Sequence, residues 1–246
     1  MPMSPNQGAT SGGTTVTITG TNLGGATAVH FGNRLGVITA NTATQVTVTN
    51  PAGSGVVDTT VTTVGGTSNP LPFFYIQPPF KTGLSATSGP VAGGNTVTLS
   101  GVNLSSASSV AFGANAATPT IINDGSISVA VPAGTAGSVS VTVNTAGGVA
   151  DGLSYTYVDP PTVTEISPTS GPTTGGTVLT VTGTALTTTT SVTIGGTPAD
   201  FGVISSTELT VVTPPGAAGA VDVVVTTTGG SATAVGGFTY TAGPGI

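Results

Sequence analysis

Cysteine and tryptophan are both absent from this chain of 246 residues, and only 4% of it is charged. Without cysteine there can be no disulfide, no thiolate zinc site and no thiol nucleophile. The absence suits an extracellular β-protein that folds without bridges as well as a cytosolic one. An average globular protein is roughly a quarter charged, so the exposed surface here must be carried by hydroxyls and amides. The two basic residues, Arg34 and Lys81, stand against eight acids, for a net charge of -6. A phosphate backbone is bound by clustered lysine and arginine, so nucleic acid is excluded as a partner, as is electrostatic docking on anionic lipid. No apolar run approaches the ~18 residues that would span a bilayer, which excludes membrane insertion by a helix. The opening M-P-M-S-P-N-Q-G has neither the basic nor the apolar region of a secretory leader.

What the chain does have is a stretch that occurs three times. Ser167 to Gly183 reads S-P-T-S-G-P-T-T-G-G-T-V-L-T-V-T-G, and Gly12-Gly13 with Gly20, Gly93-Gly94 with Gly101, and Gly175-Gly176 with Gly183 hold the same place in successive units. A period of about 80 residues means three domains, each near the small end of what folds alone. In every copy a Gly-Gly turn, where positive φ is cheap, feeds a strand with apolar residues at alternate positions. These are Val16 and Ile18, Val97 and Leu99, Leu179 and Val181, with threonine or serine filling most of the wet face between them.

The next strands repeat the alternation with Val29 and Phe31, Val110 and Phe112, Val192 and Ile194. Val46 and Val48 before Pro51, Ile127 and Val129 before Pro132, and Leu209 and Val211 before Pro214 follow. Each unit then reads as a hairpin turning on Gly65-Gly66, Gly147-Gly148 or Gly229-Gly230. It closes on alternate aromatics, Phe73 and Tyr75, Tyr155 and Tyr157, Phe238 and Tyr240, of which one should fill the core while the other reaches the domain edge through its hydroxyl. With no helical period anywhere, the reading is all-β, an antiparallel sandwich repeated three times. The prolines at Gln77-Pro78-Pro79 and Asp159-Pro160-Pro161 mark short, semi-rigid connections. The expected domains are 1–78, 79–159 and 160–246, arranged as a rod.

These residues resemble the IPT/TIG family of immunoglobulin-like domains. The resemblance lies in P-x-x-G, then G-G-T-x-V-T-I-T-G-T-N-L, then V-x-F-G, a proline after V-x-V, and a final F-x-Y, and it covers the chain three times over. Family members occur in plexins, transcription factors and bacterial surface proteins. The resemblance implies binding and spacing roles without a shared chemistry. The basic loops of the DNA-binding members have no counterpart here, nor do the cysteines of the plexin type, so a bacterial type of tandem module is implied.

The residues point away from catalysis. His30 is the sole histidine, placed outward on a strand, and no G-x-S-x-G nucleophile motif accompanies it. The eight acids are scattered, never in the D-x-D spacing that gathers oxygens around calcium. The glycine pairs lack the lysine and helix of a phosphate loop. No catalytic, cofactor or metal residue is therefore expected. Candidate interaction residues are the aromatics near the first connection, Phe73, Phe74, Tyr75 and Phe80, and the apolar ends, Met1, Met3 and Ile246. The first unit has only Met1 to Ser4 as a lead-in, so its opening strand should be short and its edge open to β-augmentation, and the tail Thr241 to Ile246 resembles a linker. The expectation is a non-enzymatic, surface-exposed structural or adhesive protein, extracellular or on the cell surface, with protein or glycan partners or copies of itself joined head to tail in a filament. The alternatives are a component of a phage tail or contractile injection particle, and a polysaccharide-binding accessory module.

Overall fold

A computed structural model describes residues 2–244, and the helical element among them is one 3-10 turn, Leu186–Thr188. The apolar positions that alternate in the sequence face inward without exception: Val16, Ile18, Val97, Leu99, Leu179 and Val181 are all fully buried. Threonines between them keep the other face half-open, as in the pattern of Thr15–Thr19.

In the first repeat, one sheet runs in the order Met3–Ser4, Thr15–Thr19, Gln45–Thr49, Val37–Asn41. The other runs Gln7–Ala9, Leu71–Ile76, Val56–Thr63, Ala28–Phe31, Arg34–Leu35. Val16, Ile18, Val46 and Val48 from the first sheet meet Val29, Phe31, Val61, Phe73 and Tyr75 from the second, with Leu23 closing one end. The third repeat has the same plan around Leu179, Val181, Leu209, Val211, Val223, Val225, Phe238 and Tyr240. There the strand Thr197–Val203 pairs with both Thr189–Ile194 and Glu208–Val212, so its two layers join into one eight-stranded sheet. This is an immunoglobulin-like sandwich, repeated in tandem.

One feature departs from the purely antiparallel expectation. The lead-in of each repeat divides between layers: its first part pairs antiparallel, as Met3 with Ile18, and its second part pairs parallel with the closing strand. Gly8 lies beside Tyr75, Gly89 beside Tyr157 and Gly171 beside Tyr240. After the chain crosses between layers it therefore runs in the same direction as the closing strand it joins.

The opening Gly-Gly pairs have φ between 66° and 86°, a conformation that disfavours any side chain. The N–H of the second glycine donates to the carbonyl of Asn50, Val131 or Thr213, each immediately before a proline. By packing, the residues fall into two compact units. One holds the whole first repeat through Ser85 with Thr96–Ala130 and Ser140–Leu153; the other holds Ala86–Asn95, Val131–Val139 and the chain from Ser154 onward. Within the first unit, Thr96–Val102 lies between Phe80–Leu84 and Ser126–Ala130, and Ala107–Phe112 pairs with Asn115–Ala117. The middle repeat thus contributes to both units.

Candidate functional site

The closing aromatics are anchored at both positions. Within each pair the rings meet edge to face at 5.0–5.2 Å between centroids, the geometry favoured by their quadrupoles. The second ring spans the end of the sandwich, where its hydroxyl donates to the carbonyl of the proline read from the sequence: Tyr75 to Pro51 at 2.9 Å, Tyr157 to Pro132 at 2.7 Å, Tyr240 to Pro214 at 2.5 Å. Burial pushes all three phenols above their ordinary pKa. Tyr155, which stands where the other repeats have phenylalanine, has its own partner: Asn95 donates to its hydroxyl at 2.9 Å and accepts from it at 3.2 Å. Thr14 and Thr177 occupy the place of Asn95 in the other repeats.

Among the expected interaction residues, Phe73 and Tyr75 lie in the core of the first repeat and Met3 packs against it from its edge. Phe74 alternates outward, and Phe80 is 65% exposed, paired with the half-exposed Val102. Met1 and Ile246 lie outside the described residues. His30 is half-exposed on Ala28–Phe31, opposite Leu35 and Thr60.

The sequence marks the two connections by their prolines, but not what those connections touch. A side-chain Cβ on Gly147, in the hairpin turn of the middle repeat, would overlap the Gln77 carbonyl of the first connection. Gly229, in the third repeat's turn, meets the Asp159 carbonyl of the second connection in the same way. The exit of one repeat therefore lies directly on the last hairpin of the next. At the first junction Asn103, held at φ 58°, donates its side-chain amide to the Pro78 carbonyl at 3.0 Å. Asp124 fixes that turn by accepting from the Asn103 and Ser105 amides and, at 2.8 Å, from the Ser105 hydroxyl. These bonds, led by the hydroxyl, hold its carboxyl below the ordinary range.

Two further features carry charge. The Lys81 ammonium is buried without a hydrogen-bond partner; loss of hydration lowers its pKa and the Asp151 carboxylate partly restores it. A cleft of ≈ 360 Å³ opens on the side of the third repeat, lined by Val163, Glu165, Ile166, Thr169, Ser170 and Thr239 among others. Among the described residues no three histidine or acidic side chains gather as a metal site, and no helix is long and apolar enough to cross a membrane. This surface can offer hydroxyls, amides and isolated carboxylates to a partner.

The family model of the IPT/TIG domain matches residues 1–75, 79–157 and 161–242. No curated protein matches the chain. Among solved structures, the plexin A4 extracellular region is similar at 20% identity over 93% of this chain and 22% of its own, with a TM-score of 0.50. The surface glycan-binding protein SGBP-B of Bacteroides uniformis is 26% identical over 66% of this chain and 49% of its own, at a TM-score of 0.33. The Escherichia coli adhesin FdeC is 13% identical over 98% of this chain and 96% of its own, at a TM-score of 0.37. This chain thus spans about a fifth of the plexin and half of the glycan-binding protein.

Proposed function

Because the chain belongs to the IPT/TIG domain family, which its three matches cover almost end to end, we propose that it is a non-enzymatic structural or adhesive protein. It would work outside the cell or at a surface, with domains at 1–78, 79–159 and 160–246. The observation that carries this reading is the repeated junction, in which Gln77 and Asp159 seat on the glycine turns of the following repeats. A connection seated on the repeat that follows it suits a protein that presents or bridges surfaces. Partners are protein or glycan surfaces that accept hydroxyl- and amide-rich contacts, and further copies of the chain joined head to tail.

A glycan-binding reading is favoured by the cleft of the third repeat, which Glu165 lines together with Thr169, Ser170 and Thr239. The intact chain immobilised on beads and offered to glycan arrays and host-type surfaces tests both. Retention by a glycan class that is lost in Glu165→Ala supports the cleft, and retention unaffected by that change assigns the adhesive surface elsewhere. A hydrolase screen that found turnover abolished by His30→Ala would overturn the non-enzymatic reading.

A further inference from the structure

The hairpin glycines pose a question at one repeat only. In all three turns the second glycine has a φ that a side chain avoids, 123° at Gly66, 128° at Gly148 and 134° at Gly230. The first glycine is not in that region. Gly147 and Gly229 are explained by the carbonyl lying on them, and both are buried. Gly65 is built identically, its N–H bonded to the Thr63 hydroxyl at 3.2 Å as Gly147 is to Thr145 and Gly229 to Thr227, each at 3.1 Å. Yet a Cβ there would find only the Oγ1 of that same Thr63, at 3.6 Å. The turn is exposed, with Val64 at 95%, where the corresponding Ala146 and Thr228 are half-buried. Asn22, at φ 59° like Asn103, lines with Val64 and Gly65 a cleft of ≈ 620 Å³.

What fills this position in the other repeats is a segment of fixed form. Tyr75-Ile-Gln-Pro-Pro79 and Tyr157-Val-Asp-Pro-Pro161 share a Tyr-x-x-x-Pro spacing with Tyr240-Thr-Ala-Gly-Pro244. The residue after each tyrosine returns its carbonyl to its own repeat: Ile76 to the Thr10 N–H, Val158 to Val91, Thr241 to Thr173. The next carbonyl, of Gln77 or Asp159, is the one that meets the glycine, and its counterpart Ala242 is exposed.

We infer that the turn of Val64 and Gly65, with Asn22 beside it, is a docking site for the exit segment Thr241–Pro244 of a second copy of this chain, the Ala242 carbonyl seated on Gly65. The inference rests on the head-to-tail reading above and supplies its contact. Because exit and turn lie on different repeats, the contact is heterologous, and copies add in a ring or an open fibre.

Sedimentation equilibrium of the full chain over a broad concentration range tests it, with Gly65→Val and Val64→Glu alongside. Gly65 has an ordinary φ and room for a side chain, and Val64 is solvent-exposed, so both variants should melt at the temperature of the unsubstituted chain. The unsubstituted chain should gain weight-average mass with concentration, and either variant should stay at the mass of one chain. If Gly65→Val lowers the melting temperature, Val64→Glu alone decides. Association that survives the substitutions overturns this docking site and leaves head-to-tail assembly by another contact. A full chain that remains a single copy at its solubility limit overturns both.

Discussion

At the scale of single residues, the aromatic anchors make the most direct predictions. Tyr155 and Asn95 satisfy one another, so Tyr155→Phe should cost about 1–2 kcal/mol by leaving a half-buried amide unpaired. Adding Asn95→Thr recreates the Phe-and-Thr pairing of the other two repeats and should recover most of that loss, a coupling that urea melts of the four proteins in a double-mutant cycle would measure. Lys81 is a buried cation without a hydrogen bond, and Lys81→Met should raise the unfolding free energy by about 1 kcal/mol. That variant also isolates the phenols. Their folded pKa values are raised, so their contribution is intact below the ordinary phenol pKa of ~10 and is lost as pH rises through the higher folded values. Urea midpoints of Lys81→Met should therefore hold steady through the mildly alkaline range and fall from about pH 10, where the phenols of the unfolded chain ionise, towards the higher pH at which phenolate absorbance appears in the folded chain. A midpoint that declines well below about pH 10 would contradict this.

At the scale of elements, alternation was legible because its cause is local: inward valines and outward threonines follow from the pleat alone, and Val16, Val97 and Leu179 are all buried. The proline after each V-x-V strand was equally visible. That its carbonyl receives the closing tyrosine was not, because the partners are more than 20 residues apart. The parallel edge pairing escaped for a related reason, since a strand's partner is chosen by chain direction in space and leaves no mark on its own residues. The hairpin glycines show the limit most clearly. Gly65, Gly147 and Gly229 read alike as turn residues, and only the approach of Gln77 and Asp159 separates the covered pair from the open one. Gly147→Val should accordingly cost about 1–3 kcal/mol by overpacking, whereas Gly65→Val should stay within about 0.5 kcal/mol. Thermal melts of the two variants side by side make the comparison.

At the scale of the whole molecule, two partitions compete. Among the described residues each hydrogen-bonded sheet stays within one repeat, which argues for three folding units, while packing groups Ala86–Asn95 and Val131–Val139 of the middle repeat with the third. Val181→Asp places an unpaired charge in the third core at a cost of several kcal/mol, and limited proteolysis of that variant reads the outcome. Cleavage confined beyond Val158 supports autonomy of the repeats. Early cuts within Ala86–Asn95 and Val131–Val139 would show that the middle repeat unravels with its neighbour. The junctions themselves bear on how such a chain could lengthen. A repeat carries its receiving glycine in its last hairpin and its exit carbonyl just after its closing tyrosine, so a duplicated gene segment brings both halves of a joint at once. Growth by whole units then needs no compensating substitution, and a fourth copy spliced after Asp159 would meet its neighbours through contacts that the chain already contains.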